Sequence, residues 1–148
     1  MPERVIYLDA SALVKRYVEE AGTEEVQRLL VGAAVLGTAA ITRVEVAAAL
    51  AKAVRMGVLD GESASEALAA FRGDWRSFER LQVTEIVISR AAELAWERSL
   101  RAYDATRLAA ALIWQELLGE SVTMATFDRE LWEAANASGL EVWPQEIS

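Results

Sequence analysis

Short apolar segments alternate along the chain with longer segments whose apolar residues recur at helical spacing. The first short segment, residues 5–8, runs directly into the carboxylate of Asp9. Continuous apolar runs of this length are typical of strands that are covered on both faces of a sheet. The pattern predicts strands over residues 5–8, 35–40, 81–87, 121–127 and 140–143.

The segments between these runs have the periodicity and end signals of helices. Strands that alternate with helices predict an α/β fold, with helices on both sides of a mostly parallel sheet of four to five short strands. No linker, repeat or low-complexity segment divides residues 1–148, so we expect a single domain. The predicted helices cover residues 11–20, 24–31, 42–56, 62–78, 89–98, 104–118 and 128–137.

The composition restricts the chemistry, because the chain has neither cysteine nor histidine. Disulfides, thiolate nucleophiles, a Ser-His-Asp triad and His- or Cys-ligated zinc are therefore excluded. The net charge of −8 argues against a broad basic face for nucleic acid, although it leaves room for a substrate held through cations at an acidic pocket. No apolar run is long enough to span a membrane and no secretory signal opens the chain, so we expect a cytoplasmic protein.

Four acidic residues fall near the predicted carboxyl ends of the strands: Asp9, Glu45, Asp104 and Asp128. Ligand sites of parallel α/β sheets lie beyond these ends. Each residue also has a simpler interpretation as a helix cap, and the segment from Thr42 to Glu45 matches a capping box.

Two observations favour a shared site over four separate caps. Glu45 lies in the largely apolar segment VEVAAAL, and a capping glutamate at the surface would not need apolar neighbours. Four carboxylates at one edge would also repel each other strongly unless a cation binds between them. Oxygen ligands alone suit a hard ion such as Mg²⁺ or Mn²⁺.

The chain resembles the PIN-domain ribonucleases, in particular the VapC toxins of prokaryotic toxin–antitoxin pairs. The resemblance covers nearly the whole chain and rests on YLDASALVK, TRVEVAAAL, LRAYDATRLAAAL and ATFDRELWEAA in this order. It implies a three-layer α/β/α PIN-like fold and a metal site built from the four acidic residues. Ser11 and Thr126 match hydroxyl positions that support the metal site in the family. The chain departs from the family at Arg107, where members commonly carry His, and Arg107 either contacts a phosphate or, as we slightly prefer, pairs with an acid.

The resemblance further implies a metal-dependent endoribonuclease with one or two Mg²⁺ or Mn²⁺ ions. Asp9 and Asp104 would bind the principal ion, and Asp128 would complete its ligands directly or through water. Glu45 would orient the attacking water or hold a second ion, and hydrolysis by a metal-activated water would leave a 5′-phosphate and a 3′-hydroxyl. The implied partners are an RNA substrate, a small antitoxin and further copies of the chain, in a homodimer or a higher oligomer. Basic residues that could contact the substrate are Lys15, Arg16, Arg43, Arg101, Arg107 and Arg129, of which we single out Lys15, Arg43 and Arg107.

Two other functions stay open at this point. A non-catalytic module could keep the fold and bind a partner through its helices, since fold alone does not establish activity. A phosphoacceptor or phosphatase domain would use Asp9 as its nucleophile, but it usually needs a second acid beside or two after the first and a late lysine, and no lysine follows Lys52. The five tryptophans favour burial in the core, with an antitoxin groove or a subunit interface as the alternative; they are Trp75, Trp96, Trp114, Trp132 and Trp143.

Overall fold

The protein is described here from a computed structural model, which covers residues 4–147. Five parallel strands form one sheet in the order β3-β2-β1-β4-β5. The first strand therefore lies at the centre of the sheet, between two strands that come later in the chain. The strands are β1 (Arg4–Leu8), β2 (Ala33–Ala39), β3 (Glu79–Leu81), β4 (Val122–Ala125) and β5 (Glu141–Trp143).

Seven α-helices and one short 3₁₀ helix, Trp75–Ser77, surround the sheet in the described residues. No helix within residues 4–147 is long and apolar enough to cross a membrane. The α-helices are α1 (Ala10–Tyr17), α2 (Thr23–Val31), α3 (Thr42–Arg55), α4 (Gly61–Asp74), α5 (Glu85–Arg98), α6 (Ala102–Leu118) and α7 (Arg129–Ala137).

The side chains of β1 divide between the two faces of the sheet. Val5 and Tyr7 pack into a core with α5, α6 and α7, whereas Ile6 and Leu8 pack into a second core with α1, α3 and α4. Both faces are covered by helices, which explains why the strand is apolar at every position. The predicted three-layer α/β/α fold is confirmed.

One predicted strand is wrong. The prediction placed a strand over residues 81–87 after a helix over 62–78, but α4 ends at Asp74 and β3 is only Glu79–Leu81. The hydroxyl of Thr84 accepts a hydrogen bond from the backbone N–H of Val87 and so caps the start of α5. The apolar residues after this cap belong to the first turn of a helix, because capping outweighs their preference for strands.

A close contact fixes α6 against the sheet. Gly37 in β2 leaves room for the indole of Trp114, since a Cβ atom at this position would lie 2.5 Å from the ring. This indole is buried, as is that of Trp75, whereas Trp96 is 88% exposed on α5. Trp132 and Trp143 are partly buried. The prediction of tryptophans in the core is therefore correct for some of them and wrong for Trp96.

Candidate active site

The predicted acidic edge begins where two neighbouring strands end. β1 and β4 are paired in register, with Leu8 opposite Ala125. Asp9 follows β1 directly, and its backbone N–H continues the pairing by donating to the carbonyl of Ala125 at 3.0 Å. Thr126 and Asp128 follow β4, so the chain turns out of both strands at the same edge of the sheet.

Two hydroxyl groups hold the carboxylate of Asp9. Oδ2 of Asp9 accepts hydrogen bonds from Ser11 Oγ at 2.8 Å and from Thr126 Oγ1 at 2.9 Å. The same two hydroxyls accept hydrogen bonds from the backbone N–H groups of Phe127 and Asp128. Ser11 and Thr126 thus join the loop after β4 to the start of α1, and they fix the orientation of a carboxylate that is 3% exposed.

Arg107 lies at the centre of the acidic edge. Its Nη1 donates to Oδ1 of Asp104 at 2.7 Å, and its Nε lies 3.1 Å from Oδ1 of Asp9. The guanidinium also forms an ion pair with Glu45. Arg107 is only 13% exposed and contacts three acids that come from α3, α6 and the loop after β1. Of the two roles considered for Arg107, the structure shows the pairing with acids.

A second arginine joins the fourth acid to this group. Arg101 Nη2 lies 3.0 Å from Oδ2 of Asp104 and 3.0 Å from Oδ2 of Asp128. Its side chain is 69% exposed, so it closes the outer side of the site towards solvent. The four predicted acids therefore converge on two guanidinium groups and do not point to separate regions of the molecule.

The capping alternatives apply to the four acids unequally. Asp128 does cap α7, since its Oδ1 accepts from the backbone N–H of Leu131 at 3.2 Å while Oδ2 faces Arg101. The capping box does not form at α3, because Thr42 lies inside the helix and its hydroxyl lies 2.7 Å from that of Thr38. Glu45 is thereby left for the ion pair with Arg107.

Burial, together with the crowding of negative charge, raises the pKa of two groups at this edge of the sheet. Burial raises the pKa of Asp104 above its ordinary value, and the charges of Asp128 and Asp9 raise it further, against the opposing effect of Arg101. Burial likewise raises the pKa of the Tyr7 hydroxyl below the site, with a further contribution from Asp9. An arriving cation would relieve this repulsion.

The donor atoms fit a hard divalent ion, although they do not form a ready ligand set. Within residues 4–147 no three acids are already grouped as the ligands of one ion, because the two arginines stand between them. Oδ1 of Asp9, however, is buried and accepts no hydrogen bond from any described residue. A buried carboxylate oxygen that accepts no hydrogen bond is costly. Nε of Arg107 lies 3.1 Å away without donating to it, and a metal ion would satisfy this oxygen without a directed N–H bond.

The other predicted basic residues lie outside this group of contacts. Lys15 donates to Glu20 and to the carbonyl of Ala21, and its ammonium lies 4.7 Å from the centre of the Phe127 ring. Arg43 is exposed in the first turn of α3. Their predicted contact with substrate stays a prediction.

A model of the PIN domain family matches residues 6–137. The chain belongs to the PIN domain family. This PIN domain is 31% identical over 144 residues to Ribonuclease VapC45 of Mycobacterium tuberculosis, an alignment that spans 97% of each chain.

Solved structures show the same fold. PAE2754 from Pyrobaculum aerophilum is 25% identical, with a TM-score of 0.64, and the match covers 94% of this chain and 83% of that one. A chain of a toxin–antitoxin complex from Klebsiella pneumoniae is 15% identical with a TM-score of 0.62, covering 97% and 99% of the two chains. The second likeness shows the fold alone.

Sequence reasoning found the four acids but did not find what holds them together. A signal for part of these contacts was present in the spacing of Arg101, Asp104 and Arg107, since residues three apart are neighbours on a helix. That spacing indicates two local ion pairs with Asp104. It carries no information on the contacts of Arg107 with Asp9 and Glu45, which only the tertiary structure creates.

Proposed function

We propose that this PIN domain is a divalent-metal-dependent endoribonuclease and the toxin of a VapBC-type toxin–antitoxin pair. The observation that carries the proposal is the convergence of Asp9, Glu45, Asp104 and Asp128 at the carboxyl edge of the sheet. The full-length similarity to a VapC ribonuclease supports the choice of RNA as substrate. The absence of histidine and cysteine from the sequence leaves these carboxylates as the groups best placed to support phosphodiester hydrolysis.

Each acid has a distinct role in the proposed site. Asp9 and Asp104 are the most buried of the four, and they would hold the principal Mg²⁺ or Mn²⁺ ion. Asp128, which is also fixed by the cap of α7, would complete its ligands directly or through water. Glu45 reaches the site from α3 and would orient the attacking water or hold a second ion.

When bound, a divalent ion supplies positive charge next to the scissile phosphate and makes water a better nucleophile. The hydroxyls of Ser11 and Thr126 keep Oδ2 of Asp9 occupied, so that Oδ1 faces the site. Hydrolysis by water leaves a 5′-phosphate and a 3′-hydroxyl on the cleaved RNA. Attack by the ribose 2′-hydroxyl would instead give cyclic 2′,3′-phosphate ends.

The proposed partners follow from the same site and from the relatives. An acidic pocket that already accepts two guanidinium groups would also accept an arginine from a small antitoxin, which would inhibit by occupying it. The full-length similarity to a VapC ribonuclease agrees with such a partner, since VapC proteins are the toxins of toxin–antitoxin pairs. We further propose a homodimer and a cytoplasmic location.

Cleavage of a structured RNA by the purified chain, with Mg²⁺, with Mn²⁺ and with a chelator, tests the function. We expect metal-dependent cleavage that falls by about a hundredfold or more in Asp9→Asn and in Asp104→Asn, because each variant removes a proposed ligand. Arg90→Gln is the matched control, because Arg90 pairs with Glu116 towards the C-terminal end of α6. This variant should leave the cleavage rate unchanged. Cleavage that persists in both asparagine variants would contradict the proposed site.

The ends of the RNA fragments separate the chemical alternatives. We expect fragments that a 5′-phosphate-dependent exonuclease degrades, and cyclic phosphate ends would refute hydrolysis by water. Complete absence of cleavage in the wild-type chain, on cellular RNA as well, would favour the non-catalytic module. A stable adduct at Asp9 after incubation with acetyl phosphate would favour the phosphoacceptor alternative.

A further inference from the structure

Arg107 contacts the same carboxylates that the proposed ion requires. Its guanidinium faces Oδ1 of Asp9, Oδ1 of Asp104 and the carboxylate of Glu45, so that one cation serves three acids from three parts of the chain. Two cations cannot occupy the same space between these oxygen atoms. Arg107 and a divalent ion are therefore alternatives at this site, and the inference rests on the metal-dependent function proposed above.

The guanidinium satisfies one of these oxygen atoms poorly. Nε of Arg107 lies 3.1 Å from Oδ1 of Asp9, yet this oxygen accepts no hydrogen bond from any residue between 4 and 147. Asp9 is 3% exposed, so water cannot readily replace the missing donor. A spherical ion needs no directed N–H bond and would satisfy the oxygen better than the planar guanidinium does.

A displaced Arg107 side chain has another partner within reach. The ring of Tyr103 lies four residues earlier on α6, with its centre 5.9 Å from Cζ of Arg107, and Tyr103 is 59% exposed. The guanidinium already lies over this ring while it faces the carboxylates, so a displaced side chain would keep this cation–π contact and bring its charge nearer to solvent.

We propose that Arg107 is an exchangeable internal cation that competes with the divalent metal for Asp9, Glu45 and Asp104. In the metal-free protein its single positive charge offsets part of the negative charge of the three acids and stabilises the folded chain. When metal enters, the side chain moves out of the carboxylates towards Tyr103. Arg107 is in this sense a positioning residue, since it sets the metal concentration at which the site fills.

Calorimetric titration of the metal-free wild-type chain and of Arg107→Gln with MnCl₂ tests the competition directly. We expect Arg107→Gln to bind Mn²⁺ about tenfold more tightly, because the ion no longer has to replace charge-assisted hydrogen bonds. Arg90→Gln, which also loses one positive charge, should stay within about twofold of the wild type, since its distance from the site lets salt screen the change.

Thermal unfolding supplies a second readout that does not depend on activity. Without metal, Arg107→Gln should melt below the wild type, because three acids lose their shared cation. With saturating Mn²⁺ it should show a larger rise of its melting temperature than the wild type. If Arg107→Gln does not fold without metal, Arg107→Lys replaces it in the titration. We expect Arg107→Lys to bind Mn²⁺ more tightly than the wild type, since a lysine lacks the planar fork, but by less than the tenfold expected for Arg107→Gln.

The outcomes distinguish this inference from the proposed function. If the wild type binds Mn²⁺ and the Arg107 variants bind it equally or more weakly, the competition is refuted while the metal-dependent nuclease stands. If neither the wild type nor any Arg107 variant binds Mn²⁺ or Mg²⁺ at millimolar concentration, both the inference and the metal-dependent function are refuted.

Discussion

Two groups of ion pairs lie at the two ends of α6. At its N-terminal end, Arg107 is 13% exposed and contacts three carboxylates. Towards its C-terminal end, Arg90 of α5 donates to Oε1 of Glu116 at 2.8 Å, with side chains that are 34% and 57% exposed. The chemical groups are the same, but the two groups differ in burial and in the number of acids that share one arginine.

Burial decides what each group contributes to the molecule. An exposed pair is screened by solvent and adds little to the free energy of unfolding. A buried carboxylate has lost its water and depends on every donor around it, so the removal of one partner is costly. Only the buried group keeps its charges poorly hydrated, and only there would a metal ion replace a resident cation with a large change in free energy.

The largest expected effect comes from Thr126→Val, which removes one donor to Asp9 at constant volume. We expect the metal-free protein to lose about 3 kcal/mol of its free energy of unfolding, because a hydrogen bond to a buried carboxylate is lost and the N–H of Asp128 loses its acceptor. Urea denaturation in the presence of a chelator measures the loss.

The matched control for this variant is Thr106→Val on the same helix as Arg107. The hydroxyl of Thr106 donates to the carbonyl of Ala102 in an exposed setting, so its removal should cost about 0.5 kcal/mol or less. Equal costs at the two positions would mean that burial does not separate the two environments.

A substitution in the sheet shows whether the position of α6 matters to both of its ends. In Gly37→Ala the new methyl group would overlap the indole of Trp114 and force the helix away from β2, which we expect to cost about 2 kcal/mol. Calorimetry should also show weaker Mn²⁺ binding, because Asp104 moves with the helix. Gly32→Ala is the control, since a Cβ atom there meets nothing within 4 Å, and a similar loss in this variant would argue against the overlap.

The smallest effect is expected at the exposed pair. Glu116→Gln should cost about 0.5 kcal/mol at neutral pH and less still at about 1 M salt. Arg90 lowers the pKa of Glu116, so the stabilisation is present above the usual glutamate pKa and is lost as pH falls through the lowered value. Unfolding curves of the wild type and the variant should therefore converge in acid, and a cost comparable to that of Thr126→Val would remove the distinction between the two ends of α6.

The sequence was informative where each residue's environment could be read from its neighbours. The apolar runs of β1 and β4 identify strands that are covered on both sides, and the acids that follow them, Asp9 and Asp128, lie at the same edge of the sheet. The segment 81–87 was misassigned because its apolar residues suit either a strand or a helix, and the cap at Thr84 decides between them.

The role of Arg107 is of a different kind. Its partners Asp9 and Glu45 are distant in the sequence and meet it only after α3, α6 and β1 have packed on one another. A local pattern can therefore suggest that an arginine pairs with an acid, as we expected, but it cannot identify a cation shared by three acids. The exposed position of Trp96 on α5 was missed for the same reason, since burial depends on which helix face meets the sheet.

The central position of β1 has a consequence for the newly made chain. Asp9 precedes Thr126 in the chain by more than a hundred residues, yet its strand pairs with β4, and its carboxylate accepts a hydrogen bond from the hydroxyl of Thr126. While residues up to Asp128 are still within the ribosome, the emerging polypeptide cannot assemble the acidic edge. The acidic edge can therefore form only after the segment that carries Thr126 and Asp128 has been made and has packed beside β1.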